Sequence, residues 1–573
     1  MVAAPAKSRS KYPLPDLSDF RRRYPLTVAS FGALADREAW LRRIWETDAH
    51  WQEALAESGG ASATECIVRG APPSHLTIEA EFEIIYAGGV LGLFHGAVMN
   101  CRYQRRVMVF DEHAMGQAAR GWNISNEDLG ELERAALFTK EELEASIVNR
   151  YRSGFVKFHD AASRIKAPPL WMEGVMDVAI ESNKLLELAA QKMRQSASAS
   201  LLLEGTRLVR CYVQPEKVLV EVEELRTGKR KLYGARLFVD ATDASSLVAR
   251  QLNESYALMH VRPTVGSVAR GFVRGSEPDK ADFGVGEILV SNEDVRDHRQ
   301  LIWEGFAGSP QRDEYTTCLF FYDAANSRAD KSLLSLFERY FESLPGYKRA
   351  GAQWRVLKPV FGYLPSLQSR GRNTRRRTAD ERVLLVGEAA NPSGPLTFCG
   401  FGTHARNLHR LTHLTELALK ADLLDADSLS QINFHEPRVA QTASLGELMR
   451  PAPRSAPPVV NETMNAVMAA LHSLDARSRQ DFFQDRMSFS AFKSLLARTI
   501  KLYPRIFQHV REHMGTRGTF WWLANIAESV FHERRSKRTG PPAQKQDSPD
   551  EDAAQNFARH VALYQNKNHA GES

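Results

Sequence analysis

Residues Phe82 to Glu112 read F-E-I-I-Y-A-G-G-V-L-G-L-F-H-G-A-V-M-N-C-R-Y-Q-R-R-V-M-V-F-D-E, and their pattern decides the fold. Phe82 to Tyr86 is a short apolar run, which predicts a buried strand. Ala87 to Gly92 is a glycine turn, Val90 to Tyr103 carries an apolar face at helical spacing, and Val107 to Phe110 is a second apolar strand ending at Asp111. Strand, glycine turn, helix, strand and acid together make the first βαβ unit of a dinucleotide-binding fold. Ala87 stands where the first glycine of G-x-G-x-x-G is expected, so Gly88 takes the tight turn. Gly89 lets the backbone approach a pyrophosphate, and Gly92 lets helix and strand pack closely. The helix N-terminus offers free N–H groups to the phosphate charge, and Asp111 is placed to accept hydrogen bonds from ribose hydroxyls. Without a ligand, the same residues are a strand, a loop and a packed helix.

A second stretch, Glu381 to Leu411, reads E-R-V-L-L-V-G-E-A-A-N-P-S-G-P-L-T-F-C-G-F-G-T-H-A-R-N-L-H-R-L. Its strand, Val383 to Val386, ends at Gly387 and Glu388, and a Pro/Gly-rich loop then enters a helix near Gly402. In a flavoprotein Glu388 would bind ribityl hydroxyls, while Pro395, Thr397, Gly400 and Gly402 would face the isoalloxazine ring. Between the two stretches, Leu237 to Val239 forms a buried strand running into Asp240-Ala241-Thr242-Asp243. Two-part flavin domains commonly read D-A-T-G at this place, so Asp243 occupies a glycine position. Trp122-Asn123-Ile124-Ser125 follows the second strand, and Ser125, three residues before Asp128, predicts a helix cap. As structure this loop is a cap with a buried Trp; as function Trp122 and Asn123 lie against a flavin.

The expected fold class is α/β: a two-part, Rossmann-like FAD domain interrupted by a mostly antiparallel substrate domain, with helical extensions at both ends. By composition and periodicity the parts are an N-terminal arm with helices (1–78), a first FAD-binding part (79–253), a substrate-binding part (254–375), a second FAD-binding part (376–425), a C-terminal helical region (426–538) and a polar, disordered tail (539–573) with a short helix near Ala553 to Tyr564. Leu208 to Val213 and Lys217 to Glu223 alternate as a hairpin.

The chain has 573 residues, 43% of them hydrophobic, and a net charge of +6. Its basic residues are spread along the sequence, so nothing points to nucleic acid; a weak attraction to anionic membranes is permitted. The five cysteines, Cys66, Cys101, Cys211, Cys318 and Cys399, lack metal-type spacing and are expected as reduced thiols in a cytoplasmic protein. No metal is expected. Phe520 to Phe531 is rich in aromatic residues and is followed by R-R-S-K-R, the pattern of an interfacial membrane helix or of a docked helix with a charged end.

With these residues in view, the sequence resembles the Cru-type lycopene cyclases. The similarity is carried by Y-A-G-G-V-L-G (Tyr86 to Gly92), W-N-I-S (Trp122 to Ser125), W-M-E-G-V-M-D (Trp171 to Asp177), I-W-E-G-F (Ile302 to Phe306), F-F-Y-D (Phe320 to Asp323), and V-L-L-V-G-E-A-A with P-L-T-F-C-G-F-G between Val383 and Gly402. Two positions depart from the pattern: Glu388 stands for the usual Asp, and Asp243 for glycine. The resemblance implies acid-catalysed, non-redox formation of β-type rings at the ψ ends of an acyclic carotenoid, with reduced FAD stabilising the cation and NAD(P)H as a source of reducing equivalents. It also implies a membrane-resident polyene substrate and peripheral membrane attachment; the oligomeric state is left open.

The proton donor is assigned to Glu304, which by strand alternation shares an otherwise apolar face with Ile302 and Phe306. A salt bridge to an arginine explains the same carboxylate equally well. Asp323 is the second candidate and Glu388 the third. Two other functions fit the same segments: an FAD-dependent reductase or monooxygenase of a polyene or isoprenoid, and a non-catalytic pigment- or flavin-binding protein.

Overall fold

The computed structural model describes residues 15–57, 65–118, 121–243, 246–253, 256–369, 376–390, 400–433, 446–452, 455–512, 515 and 552–570. Pro395, Thr397 and the segment from Phe520 to Arg538 lie outside them.

Two sheets organise these residues. In the first, β1 (Ile78–Ala87) is followed by α1 (Leu91–Cys101) and β2 (Val107–Phe110), which pairs with β1 in parallel. On the other side of β1 lies β3 (Lys229–Asp240), also parallel, and β4 (Val383–Leu385) runs parallel to the end of β3. Ser200–Leu203 extends the sheet beyond β2, while the hairpin Thr206–Val213/Val218–Glu224 extends it beyond β3 to the edge strand Ile67–Arg69. Ile84, Ile85, Val107, Met108 and Val109 are fully buried. Strands covered on both faces read as continuous apolar runs, which is why periodicity alone marked them. The register sets Ala87 beside Phe110 on one side and Asp240 on the other, and Asp240 beside Leu385. Four strand tips therefore share one edge, with the chain switching direction at the tip of β1, where open α/β sheets form their crevice.

The second sheet is built on two long antiparallel strands, Tyr256–Phe272 and Ala350–Ser369. From the first of these it continues through Glu314–Phe320, Ile302–Ala307, Val285–Val290, Ser153–Lys157 and Leu170–Met172. Every pairing in it is antiparallel except that of Val285–Val290 with Ser153–Lys157. Ser153–Lys157 and Leu170–Met172 come from the stretch 79–253, so the second sheet draws strands from the part of the chain read as nucleotide-binding. A third, small sheet joins Trp122–Ile124, Val178–Ile180 and Ile147–Arg150.

The helix Leu333–Tyr347 buries Phe337, Tyr340 and Leu344 in the core of the second sheet. An N-terminal helix, Arg37–Glu57, holds its start: the Asp48 carboxylate accepts from Leu333 N at 2.8 Å, Ser332 Oγ at 2.7 Å and the Tyr363 hydroxyl at 2.6 Å. Burial lifts the Asp48 pKa, and these hydrogen bonds oppose the lift without cancelling it. At the other end of the chain, Val459–His472, Ala476–Phe483 and Phe489–Leu502 contribute apolar residues to the same core. A last helix packs on α2 (Gly400–Ala421): it is α3 (Ala553–Ala570), longer than the short helix expected there. Among the described residues no helix is long and apolar enough to cross a membrane.

Candidate functional site

The glycine turn at the tip of β1 is built for close approach. Gly88 has φ +111°, and a Cβ there would lie 2.5 Å from the Ala241 carbonyl oxygen, so only glycine fits. Gly89 N donates to Asp111 Oδ2 at 2.6 Å. The other carboxylate oxygen accepts from His113 N at 2.7 Å and faces His113 Nδ1 at 3.1 Å. Burial alone would raise the Asp111 pKa, but the bonds from His113 and Gly89 outweigh it and hold the carboxyl below its ordinary range. Gly92 lies in the first turn of α1, against the Ala87 carbonyl. Val90, at the N-cap, supplies no side-chain hydrogen bond, so no capping side chain takes the first-turn N–H groups of α1.

β3 and β4 close the other side. Asp240 is buried, and its carboxylate accepts from Thr242 N at 3.0 Å, from Thr242 Oγ1 at 2.6 Å and from Ser246 Oγ. All three contacts lie in the turn after β3, so Asp240 shapes that turn. Gly387, with φ +62°, packs on Leu91, which joins the second nucleotide segment to the first. Glu388, the next residue, is exposed.

The W-N-I-S strand and α2 form a third wall. Trp122 stacks on Phe401 with ring centroids 4.0 Å apart, and Phe94 meets Trp122 edge-on at 6.0 Å. Asn123 pairs with Ala179 in the small sheet. Ser125 caps the helix Asn126–Arg134 through Asp128 N at 3.0 Å. The Asp128 carboxylate, 2% exposed, receives Arg406 Nη1 at 2.8 Å and Arg486 Nη2 at 2.5 Å. Burial would raise its pKa, but the two guanidinium groups hold it low. Gly402, in the first turn of α2, leaves the room this carboxylate uses: a Cβ there would lie 2.6 Å from Asp128 Oδ2.

Four residues here escaped the sequence reading. Arg406 and Arg486 bring charge to Asp128 from 278 and 358 positions away. Burial lowers His95 on α1 to about 3 and His404 on α2 to about 4 and keeps both imidazoles neutral, with His404 adding to the first shift and Arg406 to the second. His404 Cε1 lies 3.8 Å from where a Gly387 side chain would start. The H in G-F-G-T-H was a usable signal for His404; nothing local marked Arg486.

The two acid candidates sit in the second sheet. Glu304 is buried mid-strand opposite Cys318, among Tyr151, Tyr322 and Tyr347; burial raises all three hydroxyl pKa values, Glu287 raises that of Tyr347 further, and the Glu304 charge adds a smaller rise to each. Asp323 forms a buried ion pair with Lys331 at 3.1 Å and accepts from Ala324 N and Ser327 Oγ, the bonding of an ionised, acceptor-only carboxylate.

The strand-tip residues fit a flavin dinucleotide. The α1 N-terminus suits a pyrophosphate and the ionised Asp111 a ribose, while Trp122 and Phe401 supply an aromatic stack. One feature works against the fit. Burial raises Glu112, and Asp111 and Asp243 add to that rise against Arg207 and His113, so the ribose end is rich in acids. Among the described residues no group of His, Cys, Asp and Glu side chains can hold a metal ion.

No protein-family model and no curated protein matches the chain. Solved structures do. Halogenase PltM shares the fold at a TM-score of 0.51 and 14% identity, over 85% of this chain and 96% of that one. For p-nitrophenol 4-monooxygenase PnpA from Pseudomonas putida DLL-E4 the TM-score is 0.50 and the identity 12%, over 73% and 99%. A geranylgeranyl bacteriochlorophyll reductase-like protein from Thermoplasma acidophilum superposes at 0.49 with 12% identity, over 76% and 99%. At such identities the likeness is one of fold, the two-sheet α/β architecture with flanking helices. It corrects the function expected above: with a monooxygenase and a halogenase as neighbours, non-redox ring closure in carotenoid biosynthesis does not stand. The roles of Glu304 and Asp323 as proton donors to a ψ end go with it. The chain thus shares the two-sheet α/β architecture of this monooxygenase and this halogenase, and the likeness is not specific to lycopene cyclases.

Proposed function

We propose that this protein is an FAD-dependent oxidoreductase of the monooxygenase or reductase kind, acting on an apolar polyene or isoprenoid. The observation that carries the reading is the convergence of four strand tips on Gly88, the uncapped start of α1 and the ionised Asp111. FAD, when bound, supplies hydride and oxygen chemistry. The protein's own residues do the rest: α1 holds the pyrophosphate, Asp111 orients the ribose, Gly387 lets the second nucleotide segment sit close against Leu91 of α1, and the Trp122–Phe401 stack offers an apolar wall that excludes water. Glu388, exposed beside Gly387, would stand toward the ring end. NAD(P)H is the proposed reductant.

An apolar substrate is best met at a membrane surface, in the cytoplasm. Leu502 and Phe507 are 47% and 48% exposed, and the exposed cations Lys501, Arg505 and Arg511 accompany them. Co-sedimentation with anionic vesicles, and none with neutral ones, is the expected result.

The decisive experiment is to purify the protein, record the flavin spectrum, and follow NAD(P)H oxidation with and without a polyene. Stoichiometric FAD with substrate-dependent oxidation is expected. Bound FAD without turnover would leave a flavin-binding protein, and a colourless protein that ignores added FAD would overturn the assignment.

A further inference from the structure

A cleft of about 240 Å³ opens between the N-terminal segment, the hairpin tip 296–299 and the helix Leu333–Tyr347, and four arginines line it: Arg23, Arg296, Arg299 and Arg339. None of its lining residues belongs to the first sheet, to α1 or to α2. Arg296 and Arg299 stand directly opposite each other across the tip: Arg296 N donates to the Arg299 carbonyl at 3.0 Å, and Arg299 N to the Arg296 carbonyl at 2.9 Å. Between them Asp297, at φ +51°, and His298, at φ +61°, are both left-handed, as a two-residue turn of this twist requires, although glycine is the usual second residue. Residues directly opposite on a hairpin send their side chains to one face, and like charges there repel. The tip therefore holds two cations together on a turn that is itself strained.

The acids of the cleft do not relieve this. Glu338 accepts from Leu26 N at 2.9 Å, Thr27 N at 3.0 Å and Thr27 Oγ1 at 2.9 Å, and so fixes the N-terminal segment. Glu342 takes Arg339 at 2.6 Å and feels Arg296 from farther off, while Glu293, from outside the lining, grips Arg339 at 2.7 and 2.9 Å. Asp297 lies 3.7 Å from Arg296, and both side chains are more than half exposed, a pair of little worth in water. Arg299 has no ion pair among the described residues. Its Nη1 is buried without a hydrogen-bond partner, and its guanidinium carbon lies 5.9 Å from the centre of the Phe321 ring. Arg23, 5.3 Å from the centre of the Tyr24 ring, has no acid paired with it among the described residues either.

We propose that this cleft binds a phosphate group, seated between Arg296 and Arg299 and met from the N-terminal segment by Arg23. Guanidinium forks match the terminal oxygens of a phosphate, and a group carrying close to two negative charges offsets two facing cations where a carboxylate would offset one. The volume is below the roughly 300–1,000 Å³ of sites that enclose a whole drug-sized ligand, so the cleft takes free phosphate or the phosphate end of a small ester, not a dinucleotide. The site needs no flavin, and its test can fail without touching the oxidoreductase reading.

Calorimetric titration of the full chain as purified, in buffer free of phosphate and at ionic strength held constant with sodium chloride, tests it. The probes are inorganic phosphate, phenyl phosphate and benzoate. Saturable binding of a phosphate is expected, tighter for the inorganic ion if the ligand is the free anion and tighter for phenyl phosphate if it is an ester. Benzoate should bind at least about tenfold more weakly than phenyl phosphate, and Arg296→Gln or Arg299→Gln should each weaken phosphate binding by at least about tenfold. Arg299→Gln removes a cation that has no partner, so without phosphate it should melt no lower than wild type. If that variant fails to fold, the exposed Arg296→Gln carries the test, and Arg226→Gln, an exposed arginine of another turn, should bind as wild type does. Absence of saturable phosphate binding, benzoate binding as tightly as phenyl phosphate, undiminished binding in Arg296→Gln, or an equal loss in Arg226→Gln overturns the proposal.

Discussion

At Gly88 even a methyl group has nowhere to go, since the Ala241 carbonyl stands where it would sit and the backbone is in a region that disfavours side chains. Gly88→Ala should cost about 2 kcal/mol or more of stability and most of the flavin retention, read by thermal unfolding and by the flavin content of the purified variant. Asp243 poses the opposite case. It is exposed, it adds negative charge to the neighbourhood of Glu112 and Asp111, and it stands where flavin domains commonly have glycine. Asp243→Gly should tighten FAD binding by about three- to tenfold at low salt, an effect of roughly 1 kcal/mol that shrinks as salt screens it. Titration by flavin fluorescence quenching would measure it, and unchanged affinity would clear Asp243 of any role.

Between elements, the Asp128 carboxylate is shared by α2 and the loop carrying Arg486. Asp128→Asn removes the buried carboxylate between two half-buried guanidinium groups, of which Arg486 keeps Glu127 at 2.6 Å, and should destabilise the protein by about 2 kcal/mol. The folded pKa of Asp128 lies below its unfolded value, so its contribution is complete above about pH 4, the unfolded carboxyl pKa, and is lost as pH falls through the folded value. Denaturation curves from pH 6 down to pH 3 should therefore converge for wild type and variant at the acid end. Elements of this kind divide what a sequence displays from what it conceals. Val107 to Phe110, the hairpin ending at Val213 and the Ser125 cap are local patterns and stand in the structure where the sequence places them. The partners of Asp128 and the meeting of Arg23 with Arg296 and Arg299 at one cleft are set by distant folding, and no local spacing announces them. Function misled for a related reason: short motifs such as W-N-I-S mark how α2 is held, and holding a helix is a task that enzymes of different chemistry share.

Taken whole, the molecule does not divide at the boundaries its sequence advertises. The strand Val285–Val290 needs Ser153–Lys157 at its side, and that strand in turn pairs with Leu170–Met172. A fragment of residues 254–375 alone would expose the edge of Val285–Val290, an unpaired template for association. Expressed by itself it should aggregate or lack cooperative unfolding, and a soluble fragment with a sharp melting transition would show that the two borrowed strands are dispensable.

The parallel seat of β4 beside β3 has a consequence in time as well as in space. β1 is complete at Ala87, but the tip of the sheet is not closed until Val383–Leu385 has been made. At a synthesis rate of ~5–20 residues per second that interval is on the order of fifteen to sixty seconds. For about the later half of it, once β3 has been made, the nascent chain carries a finished glycine turn on an unfinished sheet, with the apolar flank of β3 open to whatever meets it first, and a chaperone or the cofactor itself has that time to arrive.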